Sequence, residues 1–340
     1  MDIEKTRCNL AFIQRGASVD FKNKPFFISQ FVETIRDISH FKDNAFQTAI
    51  TIGTFDGVHL GHRKILERLI NNAKISGLKS TVLTFFPHPR MVLQKDTDIK
   101  LLNTLEEKTQ ILDSLGLDYL IIHPFTKEFS RLSATEFVRD ILVNGLKTKK
   151  VIIGYDHRFG RNRNANIQDL ITFGNTLDFE VEEIPAQEID DVSVSSTKIR
   201  NALLEGDVVT ANSYLNYPYM LTGTISKGKG LGKKFGFPTA NLHIEEEYKL
   251  IPKNGVYVVK SLLEGNEFHG MMNIGYNPTV SGTKKTIEIN FFDFEGDLYD
   301  QKVQIGILHR IRDEHKFDSV EELQEQLKKD KHHSLELISK

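Results

Sequence analysis

Two histidines, His59 and His62, close the stretch Thr51–His62, TIGTFDGVHLGH. Glycines Gly53, Gly57 and Gly61 let its backbone turn tightly and approach a ligand without side-chain obstruction. A buried strand precedes the stretch and a helix follows it. Both imidazoles therefore stand at a helix entrance, where unpaired N–H groups and the helix dipole favour an anion. Two imidazoles there could donate hydrogen bonds to the phosphates of a nucleotide. Nucleotidyl transfer asks for that kind of help, because it needs alignment and charge stabilisation at phosphorus more than covalent assistance. A bare HxGH also fits a solvent-exposed turn with incidental histidines, or a metal pair. The strand-to-helix setting favours the phosphate reading. A structural zinc site is disfavoured, since no thiol ligands accompany the histidines.

Far downstream, Val194–Arg200 reads VSSTKIR and opens another helix. Ser195, Ser196 and Thr197 offer hydroxyls and N–H groups at the helix start, and Arg200 brings a planar cation suited to phosphate oxygens. Taken alone, the segment fits an ordinary Ser/Thr cap with a surface arginine better.

A second constellation is Lys227–Asn241, KGKGLGKKFGFPTAN. Gly228, Gly230 and Gly232 are spaced for a flexible loop whose N–H groups could fold over phosphates, with lysines supplying positive charge. The spacing is not that of a Walker A loop, and a mobile basic turn or an RNA-binding loop would look similar. PTAN adds specificity. The Thr239 hydroxyl and the Asn241 side-chain oxygen are hard ligands, and Mg²⁺ takes only one or two protein oxygens beside phosphates and water. Glu288, in Thr286–Phe292, alternates with Ile287 and Ile289. By periodicity it is a solvated strand residue, yet a kinase wants a carboxylate to accept the proton of the attacking hydroxyl.

The elements that must position these residues change character along the chain. Ala49–Gly53, Thr81–Phe86, Tyr119–His123, Val151–Gly154 and Phe179–Ile184 are short strand-like runs. Helical segments at Arg63–Ser76, Thr104–Leu115, Ser133–Val143 and Ile167–Leu177 alternate with them. Gly77 is placed to end the first helix, and Thr104 with Glu107 and Ser133 with Glu136 are capping boxes. The alternation predicts a doubly wound, Rossmann-like parallel sheet with its site at the carboxyl ends of the strands. After Leu215, Tyr219–Ile225, Gly255–Leu262, His269–Ile274, Thr286–Phe292 and Lys302–Leu308 are separated by turn signals and predict a small antiparallel β-barrel. A last helix, Val320–Lys329, is opened by Ser319 with Glu322. The fold class is thus α/β plus β, with the boundary near Asn216–Tyr219. It gives a poorly ordered extension over 1–24, a nucleotidyltransferase domain over 25–216 and a kinase domain over 217–340.

A chain of 340 residues suits two cores. The formal charge of −2 gives no net pull toward nucleic acid or an anionic membrane. One cysteine, Cys8, excludes a disulfide framework and fits a reducing compartment. No secretory signal or membrane-spanning run is evident, so a cytoplasmic protein is expected.

GTFDGVHLGH followed by SSTKIR, with LTFFPHPR (Leu83–Arg90) and IIGYDHRFGRNR (Ile152–Arg163) between them, resembles the adenylyltransferase module of bacterial bifunctional riboflavin kinase/FAD synthetases. Tyr219 to about Asp330 resembles the riboflavin kinase module of the same family, through GFPTAN, NGVYVV, NIGYNPTV, IEINFFDFEGDLY and RIRDEHKF. The resemblance implies that Gly53, Phe55, Asp56, His59, Gly61 and His62 bind ATP for adenylyl transfer, with Ser196, Thr197 and Arg200 closing over its phosphates. Pro87, Pro89 and Asp156 would lie near the FMN site. In the second module it implies ATP bound beneath Gly228, Gly230 and Gly232, and a metal held by Thr239 and Asn241. Glu288 would be the catalytic base toward the ribityl 5′-hydroxyl, and Arg312 and Phe317 flavin contacts. His157, Asn290 and Asp300 stand where the family pattern has an aromatic residue, a histidine and a glycine.

The implied function is phosphorylation of riboflavin to FMN and adenylylation of FMN to FAD, each with ATP and a divalent cation such as Mg²⁺. Flavins are then substrates and products rather than held redox groups, and no nucleic-acid or membrane partner is expected. The alternatives are a chain with only one working module, a related HxGH transferase acting on another acceptor, and a nucleic-acid-binding protein using the KGKGLGKK loop.

Overall fold

A computed structural model describes residues 32–41, 45–94, 98–186, 194–227, 232, 236–279 and 282–339, with the side chains of 277–284 left out. The extension expected over 1–24 lies outside the described residues.

Six parallel strands form the first sheet, in the order β1 (Glu33–Ile35), β4 (Tyr119–Pro124), β3 (Lys79–Phe86), β2 (Thr48–Ile52), β5 (Thr148–Gly154), β6 (Glu180–Ile184). Every residue of β2 is buried, as a central strand covered on both faces requires. The chain advances from β2 through β3 to β4 and then crosses to the other side of β2 to lay down β5. That reversal makes the β2/β5 gap the topological switch point, where a crevice opens beyond the carboxyl ends. β1 was not legible in the sequence; it is a three-residue edge strand, too short to show a period.

Helix α1 (Leu60–Ser76) starts one turn earlier than its apolar spacing suggests, because His59 is its N-cap, and it ends at Gly77 in the left-handed conformation (φ 66°). α2 (Pro89–Leu93) and α3 (Leu105–Ser114) follow, the latter opened by the Thr104/Glu107 capping box. The Ser133/Glu136 box also forms, but α4 (Ala134–Glu136) runs at once into a π-helical segment, Phe137–Gly145. Phe137, Val138 and Leu142 of this segment are buried against the sheet. α5 (Ile167–Leu177) completes the layer on that side.

α6 (Ser196–Glu205) and α7 (Val208–Leu215) lead out of the sheet domain. Asn212 on α7 ties them to the barrel: its Nδ2 donates to the Ile307 carbonyl at 2.8 Å and its Oδ1 accepts from the Tyr219 amide at 2.7 Å. The barrel is closed in the order β10 (Asn266–Thr279), β11 (Gly282–Phe291), β8 (Ala240–His243), β7 (Tyr219–Ser226), β12 (Lys302–Arg312), β9 (Gly255–Leu263). β8 is an addition to the five strands expected; four residues directly after Pro238–Thr239 carry no strand signature of their own. The terminal helix α8 (Val320–Ser339) runs ten residues beyond the expected Lys329. Its buried residues are Asp330 and Ser334, and Leu327 and Ile338 pack beside them on Val256, Met271 and Phe292, so its docking combines polar and apolar contacts.

One hydrophobic cluster runs without a break from Leu66, Leu69, Val82 and Leu120, through Leu203 and Leu215, to Tyr219, Tyr257 and Ile305 inside the barrel. A second cluster packs the π-helical segment and α5 on the opposite face of the sheet, over Ile50, Leu83, Ile121 and Val151. Polar contacts reinforce the junction. Lys249, in the loop after β8, lies 2.6 Å from Glu107 of α3 with both side chains fully buried. Glu107 also accepts from the Thr222 amide of β7 at 3.0 Å.

Candidate active sites

The chain leaves β2 at Gly53 and makes a turn that backbone preference resists. Phe55 (φ 45°), Gly57 (φ 87°) and Val58 (φ 37°) all take positive φ, which a β-branched residue rarely adopts. Such backbone persists only where its surroundings over-determine it. Asp56, in the middle, is 2% exposed; its carboxylate accepts from the Leu102 amide at 2.9 Å and from Arg200 Nη2 at 2.5 Å. Ser196 Oγ donates to the Asp56 carbonyl at 2.9 Å. The SSTKIR helix start and the FDGVHLGH turn, 140 positions apart, are therefore one structure. Neither is an incidental surface cap. Thr197 is exposed in the first turn of α6, beside them.

The turn delivers His59 and His62 to the mouth of α1. Their rings stack with centroids 3.7 Å apart and planes 19° apart, and the Phe55 ring lies 5.0 Å from that of His62. His59 Nδ1 accepts from the His62 amide at 3.4 Å, which leaves its other nitrogen as the N–H donor. Burial pushes the His59 imidazole down to about 4, against a smaller upward pull from Asp56. His62 is driven well below the ordinary histidine range by burial, then by His59 and Lys108. Both rings are neutral at pH 7 and so offer hydrogen-bonding N–H groups rather than positive charge. His62 Nδ1 is buried with no hydrogen-bond partner among the described residues.

Two cations complete this site. Arg200 Nε donates to the Lys100 carbonyl at 3.0 Å, which fixes the guanidinium against Asp56. Lys108, buried on α3, donates to the Thr54 carbonyl at 2.7 Å; its charge faces the HxGH turn. Lys108 was missed in the sequence because it sits on a helix between a capping box and an apolar stripe, where a lysine usually meets water. Gly61 is buried in the first turn of α1, and Gly53 packs under the Phe55 ring, 3.1 Å from where its Cβ would be.

Beyond β3 the Phe86–Pro87 bond is cis, and His88 caps α2, at whose first position Pro89 stands. Burial lowers His88 to about 4. Asp156 is exposed just after β5, and His157 beside it stacks along Phe159 at 6.2 Å. Burial, then Arg163, lowers His157 to about 4. Phe85, Phe125 and Phe129 form an edge-to-face group with Phe137 and Phe159 near the same strand ends. An apolar shelf thus flanks the crevice.

In the barrel, Glu288 of β11 stands in register between Asn241 of β8 and Asn273 of β10. Directly opposed residues share a face, so the carboxylate and two amides line one patch, while Ile287 and Ile289 point into the core. Glu288 is half-buried. Asn290, two residues on, donates to the Pro238 carbonyl at 2.8 Å and so steadies the PTAN segment. Gly228 and Gly230 lie outside the described residues. Gly232 accepts from the Phe237 amide at 2.9 Å, and its missing Cβ would lie 3.1 Å from Thr239 Oγ1. Gly232 and the threonine hydroxyl are therefore neighbours. Asn273 was not singled out in the sequence; only register across strands reveals it.

In the RDEHKF segment, Arg312 is engaged by α8. Its guanidinium is clasped by Asp330 of α8, with Nη2 at 2.7 Å and Nε at 3.0 Å, and lies 5.8 Å over the Phe317 ring. Arg312 thus holds the segment to α8, with Phe317 half-buried beneath it. Glu314 reaches back to Asn254 Nδ2 at 3.3 Å and covers Gly275. Asp300, in the glycine position of the family pattern, adopts φ 60°, a conformation aspartate tolerates.

A parallel sheet with an anion-receptive histidine turn at its switch point, fused to a closed barrel bearing a carboxylate between asparagines, defines a two-site phosphoryl- and nucleotidyl-transfer enzyme. Comparison with known proteins agrees module by module: residues 41–198 match the FAD synthetase family model and residues 215–338 the riboflavin kinase model. A bifunctional riboflavin kinase/FMN adenylyltransferase of Buchnera aphidicola is 36% identical over 91% of this chain and 98% of its own length. That of Listeria monocytogenes is 39% identical over 83% and 89%. The crystal structure of a Streptococcus pneumoniae protein described as a macrolide-efflux protein superposes with a TM-score of 0.80 at 30% identity, covering 89% of this chain and 98% of that one. No helix among the described residues is long and apolar enough to cross a membrane. The chain belongs to the bifunctional riboflavin kinase/FMN adenylyltransferase family: it is an enzyme that uses ATP to convert riboflavin to FMN and FMN to FAD.

Proposed function

We propose that the two reactions are divided between the two sites as follows. In the barrel, Glu288 accepts the proton of the ribityl 5′-hydroxyl as its oxygen attacks the γ-phosphorus of ATP, and ADP departs. Gly228, Gly230 and Gly232 cover the phosphates. The Thr239 hydroxyl and Asn241 side-chain oxygen are hard donors adjoining Gly232 and Glu288, a set that suits Mg²⁺. When bound, the metal would neutralise charge on the transferring phosphate. Phe317 is the flavin contact this geometry favours; Arg312 acts by holding its segment.

In the sheet domain, an FMN phosphate oxygen attacks the α-phosphorus of ATP and pyrophosphate leaves. His59 and His62 donate to the phosphates from the mouth of α1, and Ser196, Thr197 and Arg200 close over them. Gly53, Phe55, Asp56 and Gly61 shape the turn. FMN lies along the Phe85–Phe129 shelf near Pro87, Pro89 and Asp156. The observation that carries this assignment is the docking of α6 on the HxGH turn through Asp56. A cytoplasmic setting belongs to the same proposal, on the lone cysteine and the double demand for ATP.

Riboflavin, ATP and Mg²⁺ supplied to the full chain should yield FMN and then FAD by flavin chromatography. His62→Ala should abolish FAD formation and spare FMN formation, and Glu288→Ala the reverse when FMN is supplied. A folded variant that lost both reactions would refute the two-site division.

A further inference from the structure

The HxGH turn is held from two sides. α6 holds it through Ser196 and Arg200, and the other support comes from the kinase module. Tyr217 belongs to the segment matched by the riboflavin kinase model, and it is 5% exposed. Its hydroxyl donates to the Gly57 carbonyl at 2.6 Å, and Asn103 Oδ1 lies 3.3 Å away. The Arg63 guanidinium sits 5.5 Å over its ring. Burial pushes the Tyr217 phenol up, so the hydroxyl keeps its proton and remains a donor. Leu102 and Leu215 close over Gly57 and leave no room for a side chain: a Cβ there would lie 2.6 Å from Leu102 and 3.3 Å from Leu215. Leu102 is itself pinned by the barrel side, since Lys249 Nζ donates to its carbonyl at 2.6 Å.

A turn with three positive φ values in four residues would relax without such anchors. Gly57 immediately precedes Val58 and His59, so a movement of its carbonyl rotates the peptide that aims the first histidine. We propose that Tyr217, a residue of the kinase module, is a positioning residue for adenylyl transfer, setting the His59/His62 turn through the Gly57 carbonyl. This rests on the assignment of adenylyl transfer to His59 and His62.

Tyr217→Phe in the full chain tests it, because the ring and its stack on Arg63 survive and only the hydroxyl goes. FAD formation from FMN and FMN formation from riboflavin are measured separately, with kcat and KM for ATP and the thermal midpoint. The kcat for FAD formation is expected to fall about tenfold, the equivalent of one buried hydrogen bond. KM for ATP and the riboflavin kinase reaction should stay within about twofold, because neither α6 nor the barrel site is touched. An unchanged kcat overturns the inference, as does a loss confined to KM or a parallel fall in both reactions. His62→Ala is run alongside. If it spares FAD formation, the site assignment itself fails. If it abolishes FAD formation while Tyr217→Phe leaves the kcat for FAD formation unchanged, the positioning role alone is refuted.

Discussion

The Arg200 guanidinium lies 2.5 Å from the Asp56 carboxylate, joining residues 144 positions apart into one buried pair at the base of the histidine turn. Removing one partner of such a pair leaves the other charge buried and unmatched, a cost of about 3–5 kcal/mol that the strained turn would relieve by moving. Arg200→Ala should therefore lower FAD formation from FMN by about a hundredfold or more. FMN formation from riboflavin should stay near the parent level. Parallel assays on one preparation check this; an equal loss in both reactions would count against it.

The Lys249–Glu107 pair makes a different prediction, because it supports the junction and neither reaction directly. Both side chains are fully buried, and Glu107 also serves the Thr104 and Thr222 amides. Lys249→Met should cost about 3–5 kcal/mol of unfolding free energy, read from the denaturant midpoint at unchanged slope.

Five histidines of the sheet domain are held below the ordinary range, chiefly by burial: His59, His88 and His157 at about 4, with His62 and His123 lowered as well. The unfolded chain takes up these protons near the ordinary histidine value of 6.5, while folded His59 resists until about 4. Stability from them is thus complete above pH 6.5 and drains away as pH falls toward 4. Calorimetry should show the midpoint dropping between pH 6.5 and 4.5. A flat midpoint across that window would contradict the burial of these rings. A nucleotide that engages His59 should also be bound with proton uptake at pH 5.

Much of this was legible in the sequence. Gly77 ended its helix, both capping boxes formed, and the alternation of β-branched runs with amphipathic segments declared a wound sheet before a barrel. What stayed hidden depended on long-range pairing. Asp56 and Arg200 each look ordinary in their own neighbourhood, and Asn273 gains meaning only from its place opposite Glu288. Lys108 and Lys249 read as solvated surface, since nothing local announces that a lysine is buried against carbonyls. The length of α8 escaped because Asp330, a charged residue, is buried in it and shares the docking with Leu327 and Ile338. Arg312 drew a flavin role by pattern, whereas its partner lies on a helix that the pattern left short.

That last contact is open to test. Asp330 is 2% exposed and accepts from Arg312 and from Gln326 Nε2 at 2.8 Å. Asp330→Ala should loosen the Arg312–Phe317 segment and raise the riboflavin KM several-fold, about 1 kcal/mol of binding. FAD formation from supplied FMN should be unaffected, which steady-state kinetics on each substrate will reveal.

The apolar cluster that passes from Leu66 to Ile305 without interruption has a bearing on inheritance of the two activities. Heat or a damaging substitution anywhere along it dissolves both workplaces at once. A cell carrying such a lesion would be starved of both flavin nucleotides together, and relief by supplied FMN would distinguish a wounded kinase site from a chain that no longer folds.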